Sequence, residues 1–190
     1  MITGILLAAG AGTRFGGRKL LHPLPDGVPV GLASLRNLSS AVSSVVVVVR
    51  PGDDDLRALL VSEGALVIEC RDAERGMGHS LAAGVAQSSA ADGWVIALGD
   101  MPRIQPATIR KVVHALEQGA GIVVPVFAGE RGHPVAFDRR FRAELLDLTG
   151  DTGARTIVQA HSSGVRRLDV DDPAVVQDVD TVEDARRLAR

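Results

Sequence analysis

Leu6-Leu7-Ala8-Ala9-Gly10-Ala11-Gly12-Thr13-Arg14-Phe15-Gly16-Gly17-Arg18-Lys19-Leu20-Leu21 is the stretch from which the rest of the chain can be read. An apolar strand runs into a glycine-rich loop, and in an open α/β sheet ligands bind beyond the carboxyl ends of the strands. Glycines let backbone N–H groups converge on an anion without a Cβ in the way. Arg14, Arg18 and Lys19 then add three cations within six residues. Two familiar phosphate loops do not fit. A dinucleotide fingerprint needs a third glycine where Phe15 stands, and an acidic residue at the end of the second strand, where Arg50 stands. A Walker loop has its gap between Gly12 and Gly17, but Arg18 intervenes before Lys19 and Leu20 replaces the hydroxyl that would hold Mg²⁺. What survives is a loop whose cations face a polyphosphate, a setting suited to stabilising a departing pyrophosphate. The plain structural alternative is a glycine-rich turn with solvated basic residues.

Outward from this loop, short Val/Ile/Leu runs alternate with segments of helical period. Strands are expected over 2–8, 44–50, 65–70, 94–98, 121–127, 134–137 and 165–170, with helices over 30–42, 53–63, 78–89, 106–118, 141–148, 154–161 and 182–188. The β-branched run Val45 to Val49 reads as a strand covered on both faces. Pro106 suits the first position of a helix, and Thr181 with Asp184 resembles a capping box. Strict β-α alternation predicts a three-layer α/β/α, Rossmann-like fold with a predominantly parallel sheet. Past Gly121 the order loosens, and a hairpin around 129–132 predicts a small antiparallel insertion. A single domain over 1–190 is expected.

Composition narrows the classes. Of 190 residues 46% are hydrophobic, 23% charged and only 3% aromatic, so the core must be aliphatic and disorder is excluded. A net charge of −2 argues against a general nucleic-acid binder. The basic residues are almost all arginine, Lys19 and Lys111 being the exceptions, which reads as genome composition. Cys70, the one cysteine, permits neither an intrachain disulfide nor a cysteine metal cluster and reads as a buried thiol. Ala9-Gly10-Ala11 imitates a signal cleavage site, but no basic segment precedes it, and no run approaches the ~20 apolar residues of a membrane span. A cytoplasmic protein without membrane or nucleic-acid partners is expected.

A second rim residue is Asp100, which follows the apolar strand 94–98 in Gly99-Asp100-Met101-Pro102. It reads either as a turn or cap residue or as a Mg²⁺ ligand, since Mg²⁺ takes one or two carboxylates plus substrate phosphates. Asp178 and Asp180 alternate around Val179, so on an extended segment they point the same way. Asp171-Asp172 reads as a solvated turn before Pro173.

Leu7-Ala8-Ala9-Gly10-x-Gly12-x-Arg14-Phe15-Gly16 with Lys19-Leu20-Leu21 resembles the signature of nucleotidyltransferases. With Gly76-Met77-Gly78-x-Ser80-Leu81, Gly99-Asp100-Met101-Pro102, Gly132-His133-Pro134, Gly150-Asp151-x-Gly153-Ala154-Arg155 and Asp178-Val179-Asp180-Thr181, the chain is most similar to the molybdenum cofactor cytidylyltransferases. The resemblance implies the nucleotide-diphospho-sugar transferase-like version of the fold. It further implies Mg²⁺-dependent transfer of CMP from CTP to molybdopterin, with a molybdoenzyme or its chaperone receiving the product. Implied catalytic residues are Arg14, Lys19 and Asp100, and implied nucleotide contacts are Leu7, Ala8, Ala9, Gly10, Gly12, Lys19, Ser80 and Gly99. The metal would sit on Asp100 and either Asp178 or Asp180, with Asp180 preferred for its place beside the cap at Thr181. His133, Asp151 and Arg155 would face the acceptor.

The alternatives are local: Ser80 as a helix cap, His133 as a rigid turn residue, Asp151 and Arg155 as flanks of a helix start. His22, His114 and His161 show no ligand spacing. His79, the 24–30 segment and Gly31-Leu32-Ala33 depart from the family pattern, which leaves the acceptor less constrained than the reaction. Competing functions are a guanylyl or other nucleotidyl transfer to a different phosphorylated acceptor, and a non-catalytic nucleotide- or cofactor-binding module. An NAD-dependent oxidoreductase is disfavoured by Phe15 and Arg50.

Overall fold

Five consecutive valines make β2 (Ser44–Val49), buried from Val46 onward, and β1 (Ile2–Leu7) beside it is buried throughout. These two strands form the centre of the sheet in the computed structural model, which describes residues 1–187. Eight strands pair in the order β3-β2-β1-β4-β7-β5-β6, with β8 on the other side of β5. The further strands are β3 (Leu66–Glu69), β4 (Gly93–Leu98), β5 (Ile122–Phe127), β6 (Glu130–Arg131), β7 (Val135–Asp138) and β8 (Val165–Asp169). The pairs β1–β2, β2–β3, β1–β4 and β5–β8 are parallel. β7 lies antiparallel between β4 and β5, and β6 pairs antiparallel with β5. The mostly parallel α/β sheet and its antiparallel insertion are therefore as the sequence led us to expect. The hairpin into β6 turns at Ala128 and Gly129, with φ of 50° and 85°, one residue ahead of the expected span.

Period-two alternation along the strands separates two cores. Leu6, Val47, Val95 and Val123 face α1 (Val30–Ser39), α2 (Asp54–Ser62) and α4 (Pro106–Glu117). Ile5, Val48, Trp94 and Phe137 face α3 (Met77–Gln87), α5 (Arg142–Leu146) and α6 (Arg155–Ala160). Helix α7 (Val182–Arg187) ends the described chain, and Leu188 of the expected helix lies outside the described residues. Its start is the capping box: Thr181 N–H donates to Asp184 Oδ2 at 2.7 Å and Asp184 N–H to Thr181 Oγ1 at 3.1 Å. Among the described residues no helix is long and apolar enough to cross a membrane.

The expectation of a solvated Asp171-Asp172 turn is corrected. Asp171 is exposed, but Asp172 is only 3% exposed and its carboxylate accepts from Gln105 N, Thr108 Oγ1 and Ala174 N. Two of its partners, the Gln105 N–H and the Thr108 hydroxyl, belong to the start of α4, which the chain crosses after β8, and the third is the N–H of its own turn.

The wall opposite the glycine-rich loop depends on a close approach. Gly78 N–H donates to Gly150 O at 2.8 Å, and a Cβ at Gly78 would lie 2.7–2.9 Å from the backbone of Thr149. Gly78→Ala should therefore destabilise the protein by about 1–3 kcal/mol, read as a lower urea midpoint at constant m-value.

Candidate active site

β1 delivers the loop and β4 delivers Asp100, and the two strands are neighbours with Leu7 opposite Leu98. Both chains leave the sheet at the same level. Gly99 N–H donates to Leu7 O at 2.9 Å, and a Cβ there would come within 3.1 Å of that oxygen. Glycine thus eases the start of the loop and Asp100 side by side. Ser34, buried on α1, donates its hydroxyl to Gly99 O at 2.9 Å and fixes this exit. The sequence carried only one hint of it, a serine among the apolar residues of α1.

The loop then folds back on itself. Gly12, Gly16, Gly17 and Arg18 all have positive φ, and the N–H groups of Phe15 and Gly17 both donate to Gly12 O. The result is a short 3-10 turn, Lys19–Leu21, with Leu20 buried and the Lys19 side chain only 13% exposed. Lys19 Nζ donates to Asp100 Oδ2 at 2.7 Å and to Asp180 Oδ1 at 3.3 Å. Burial works to lower the Lys19 pKa, but the hydrogen bonds and charges of Asp100 and Asp180 together outweigh it and the net shift is upward. Arg14 reaches Asp180 Oδ2 at 3.0 Å from an exposed position, and Arg18 pairs with Asp55 at the start of α2.

The third side of the site comes from the segment before α7. Val179 is buried, and its N–H donates to Asp100 O at 2.9 Å, which swings Asp178 and Asp180 toward Asp100. One carboxylate oxygen from each of Asp100, Asp178 and Asp180 lies within 4.8 Å of the others. Alternation brings both later aspartates to the rim beside Asp100. Partial burial, then the charges of Asp180 and Asp100, push the Asp178 carboxyl above its ordinary range. Three hard oxygen donors with more negative charge than Lys19 can offset fit a divalent cation.

Beside this cluster opens a cavity of about 800 Å³ at the carboxyl ends of β1, β2 and β4. Leu7, Ala9, Gly10, Gly12, Lys19 and Ser80 line it, with Asp100 and Asp151. Ala8 and Gly99 lie beneath the floor, their N–H groups already bonded to Val48 O and Leu7 O. Arg50, Arg71 and Glu74 also line it; a cation after β2 and an ordinary charged run over 71–75 gave no sequence signal. Arg155 is exposed on α6 and His133 lies near Asp100, and neither is part of this wall. Burial lowers the His133 pKa against the pull of Asp100, and Nδ1 has no hydrogen-bond partner. Of the remaining histidines, His161 pairs with Glu144 at 2.9 Å and His22 packs edge-on against Phe15.

Asp178 gives a pH test. Its folded pKa is raised above the unfolded one, so the folded state binds a proton more readily between the two values, and stability falls as pH rises through that window. Asp178→Asn should therefore raise Tm at pH 7 without metal by about 1–2 °C, with no gain below the unfolded carboxylate range near pH 4. Millimolar Mn²⁺ should reverse the sign, because it stabilises the wild type more than the variant.

Residues 4–165 match the MobA-like NTP transferase domain. The chain is 32% identical to purine catabolism protein PucB of Bacillus subtilis, over 100% of this chain and 96% of that one. It is 31% identical to nicotine blue oxidoreductase of Paenarthrobacter nicotinovorans, over 98% and 96% respectively. The crystal structure of Rv0371c from Mycobacterium tuberculosis superposes with a TM-score of 0.86 at 35% identity, covering 99% of this chain and 97% of that one. The same protein is also known in complex with manganese, with a TM-score of 0.82 at 34% identity and coverage of 98% and 97%. The chain belongs to the nucleotidyltransferases of the MobA-like NTP transferase family.

Proposed function

We propose that the chain is a Mg²⁺-dependent cytidylyltransferase that moves CMP from CTP to the terminal phosphate of molybdopterin and releases pyrophosphate. The observation that carries this reading is the meeting of Lys19 with Asp100 and Asp180, at 2.7 and 3.3 Å, at one end of an open cavity. A volume of about 800 Å³ is in the range of small-molecule sites and leaves room for a nucleoside between Ala9 and Ser80. Cytidine is favoured by the resemblance of the Ala8-Ala9-Gly10 loop to the cytidylyltransferases, in which guanine-using relatives tend to carry glycine where Ala9 stands.

The chemistry asks little of a general base. The terminal phosphate of the acceptor has its second pKa near 6, so it is already ionised at neutral pH. One of its oxygens attacks the α-phosphorus of CTP, the bond to the β-phosphate bridging oxygen breaks, and pyrophosphate leaves with the negative charge. Lys19 on the cavity wall, with Arg14 held beside it through Asp180, would neutralise that charge, and Gly10 and Gly12 would leave the backbone open to the phosphates. Asp100 and Asp180, with Asp178, would hold Mg²⁺, which when bound supplies Lewis-acid charge to the polyphosphate. Of the three acceptor candidates Asp151 lines the cavity, whereas His133 is buried near Asp100 and Arg155 is exposed on α6. The reading places the protein in the cytoplasm, with a molybdoenzyme or its chaperone taking the product.

Pyrophosphate release measured with molybdopterin and each of the four ribonucleoside triphosphates tests the reaction. CTP should give the highest rate, and Asp100→Ala and Lys19→Ala should each lower kcat by about 100-fold or more. Wild-type silence with every acceptor would favour a binding module, and a preference for GTP a guanylyltransferase. Ala9→Gly should narrow the ratio of CTP to GTP in kcat/KM, and an unchanged ratio would count against the assignment of the base.

A further inference from the structure

The chain that carries Asp178 and Asp180 has no strand to hold it: between β8 and α7 it is a 3-10 turn, Pro173–Val176, followed by extended backbone. Two like charges on such a segment repel each other and Asp100, so something must fix its course. Besides the ion pairs of Asp180 with Lys19 and Arg14 and the bond from its N–H to Asp184 Oδ2, three attachments do. Val179 N–H donates to Asp100 O at 2.9 Å and His133 N–H to Val175 O at 2.8 Å. These are backbone contacts that any side chain would allow.

The third attachment depends on one side chain. Asp172 Oδ2 accepts from Gln105 N at 2.9 Å and from Thr108 Oγ1 at 2.8 Å, and Oδ1 accepts from Ala174 N at 3.1 Å. Gln105 stands at the N-cap of α4, its own side chain caps nothing, and its N–H is taken by Asp172 from 67 residues away. Helix α4 is a firm post, with Ile109, Val112 and Leu116 buried in the core. A carboxylate is costly to bury and here has a hydrogen bond for each of its oxygens.

Resting on the reading of Asp100, Asp178 and Asp180 as the cation site, we propose that Asp172 is the positioning residue of that site. Its clasp on the first turn of α4 sets how closely Asp178 and Asp180 approach Asp100. Outer partners of metal-binding carboxylates commonly govern affinity in this way.

The test is Mn²⁺ binding to the full chain without nucleotide, read by electron paramagnetic resonance, with near-ultraviolet circular dichroism to check the fold. Asp172→Ala should weaken Mn²⁺ binding by about 10-fold or more. Thr108→Val removes one of the three hydrogen bonds, should cost about 3-fold, and carries the test if Asp172→Ala does not fold. In a chain carrying both Asp178→Asn and Asp180→Asn, the residual affinity of Asp100 should be the same with or without Asp172→Ala. A mere helix cap would not produce that dependence. Full Mn²⁺ affinity in a folded Asp172→Ala protein, or an equal loss in the doubly substituted background, would overturn the proposal while leaving the cation site standing. Unchanged Mn²⁺ binding after Asp178→Asn and Asp180→Asn together would overturn the site and the clasp alike.

Discussion

The ammonium of Lys19 ties together parts of the chain that are far apart in sequence. Its hydrogen bonds to Asp100 and Asp180 span 81 and 161 residues, and they join the glycine-rich loop, the end of β4 and the segment before α7. At 13% exposure Lys19 is screened by little water, so this contact is stronger than an ordinary surface ion pair. It does not make the site restful. Lys19 and the exposed Arg14 face three carboxylates, and burial together with the charges of Asp180 and Asp100 raises the Asp178 pKa. A cluster built only for stability would have offset that charge or removed it. Retaining it suits a place where further positive charge is to be received.

The sheet makes the meeting possible at small conformational cost. β1 and β4 run parallel and in register, so their ends are neighbours before any loop geometry is chosen. Gly99 lets the second exit crowd the first, and Ser34 holds its carbonyl from below. β7 then enters antiparallel beside β4, and the turn before it brings His133 N–H to Val175 O, which steers the last acidic segment over the same rim. The antiparallel insertion is therefore part of how the site is assembled.

Most of the fold could be read from the chain because a few strong patterns set it. The valine run of β2, the proline opening α4 and the Thr181–Asp184 box each act within a few residues, where sequence speaks directly. The loop and Asp100 were legible for the same reason, as each follows an apolar strand. Asp172 was not legible. A paired Asp-Asp before proline is polar and turn-like, and nothing local says that the start of a helix 67 residues earlier will bury one of the two. Arg50 and Arg71 were missed on similar grounds, since a cation after a strand is ordinary until the cavity beside it is seen. What escapes a sequence reading here is tertiary: which donors meet which acceptors across the layers.

The basic residues of the loop are not equivalent, and their exposure separates them. Lys19 is enclosed and doubly bonded, so leaving its carboxylates would strand charges at the edge of the core. Arg14 meets Asp180 with its own side chain 81% exposed, and Arg18 meets Asp55 with both partners about as open. Ion pairs of that kind are worth about 0–1 kcal/mol, well below a charge-assisted bond to a phosphate in a partly enclosed site. The two guanidiniums therefore hold their carboxylates weakly, whereas Lys19 holds its own firmly.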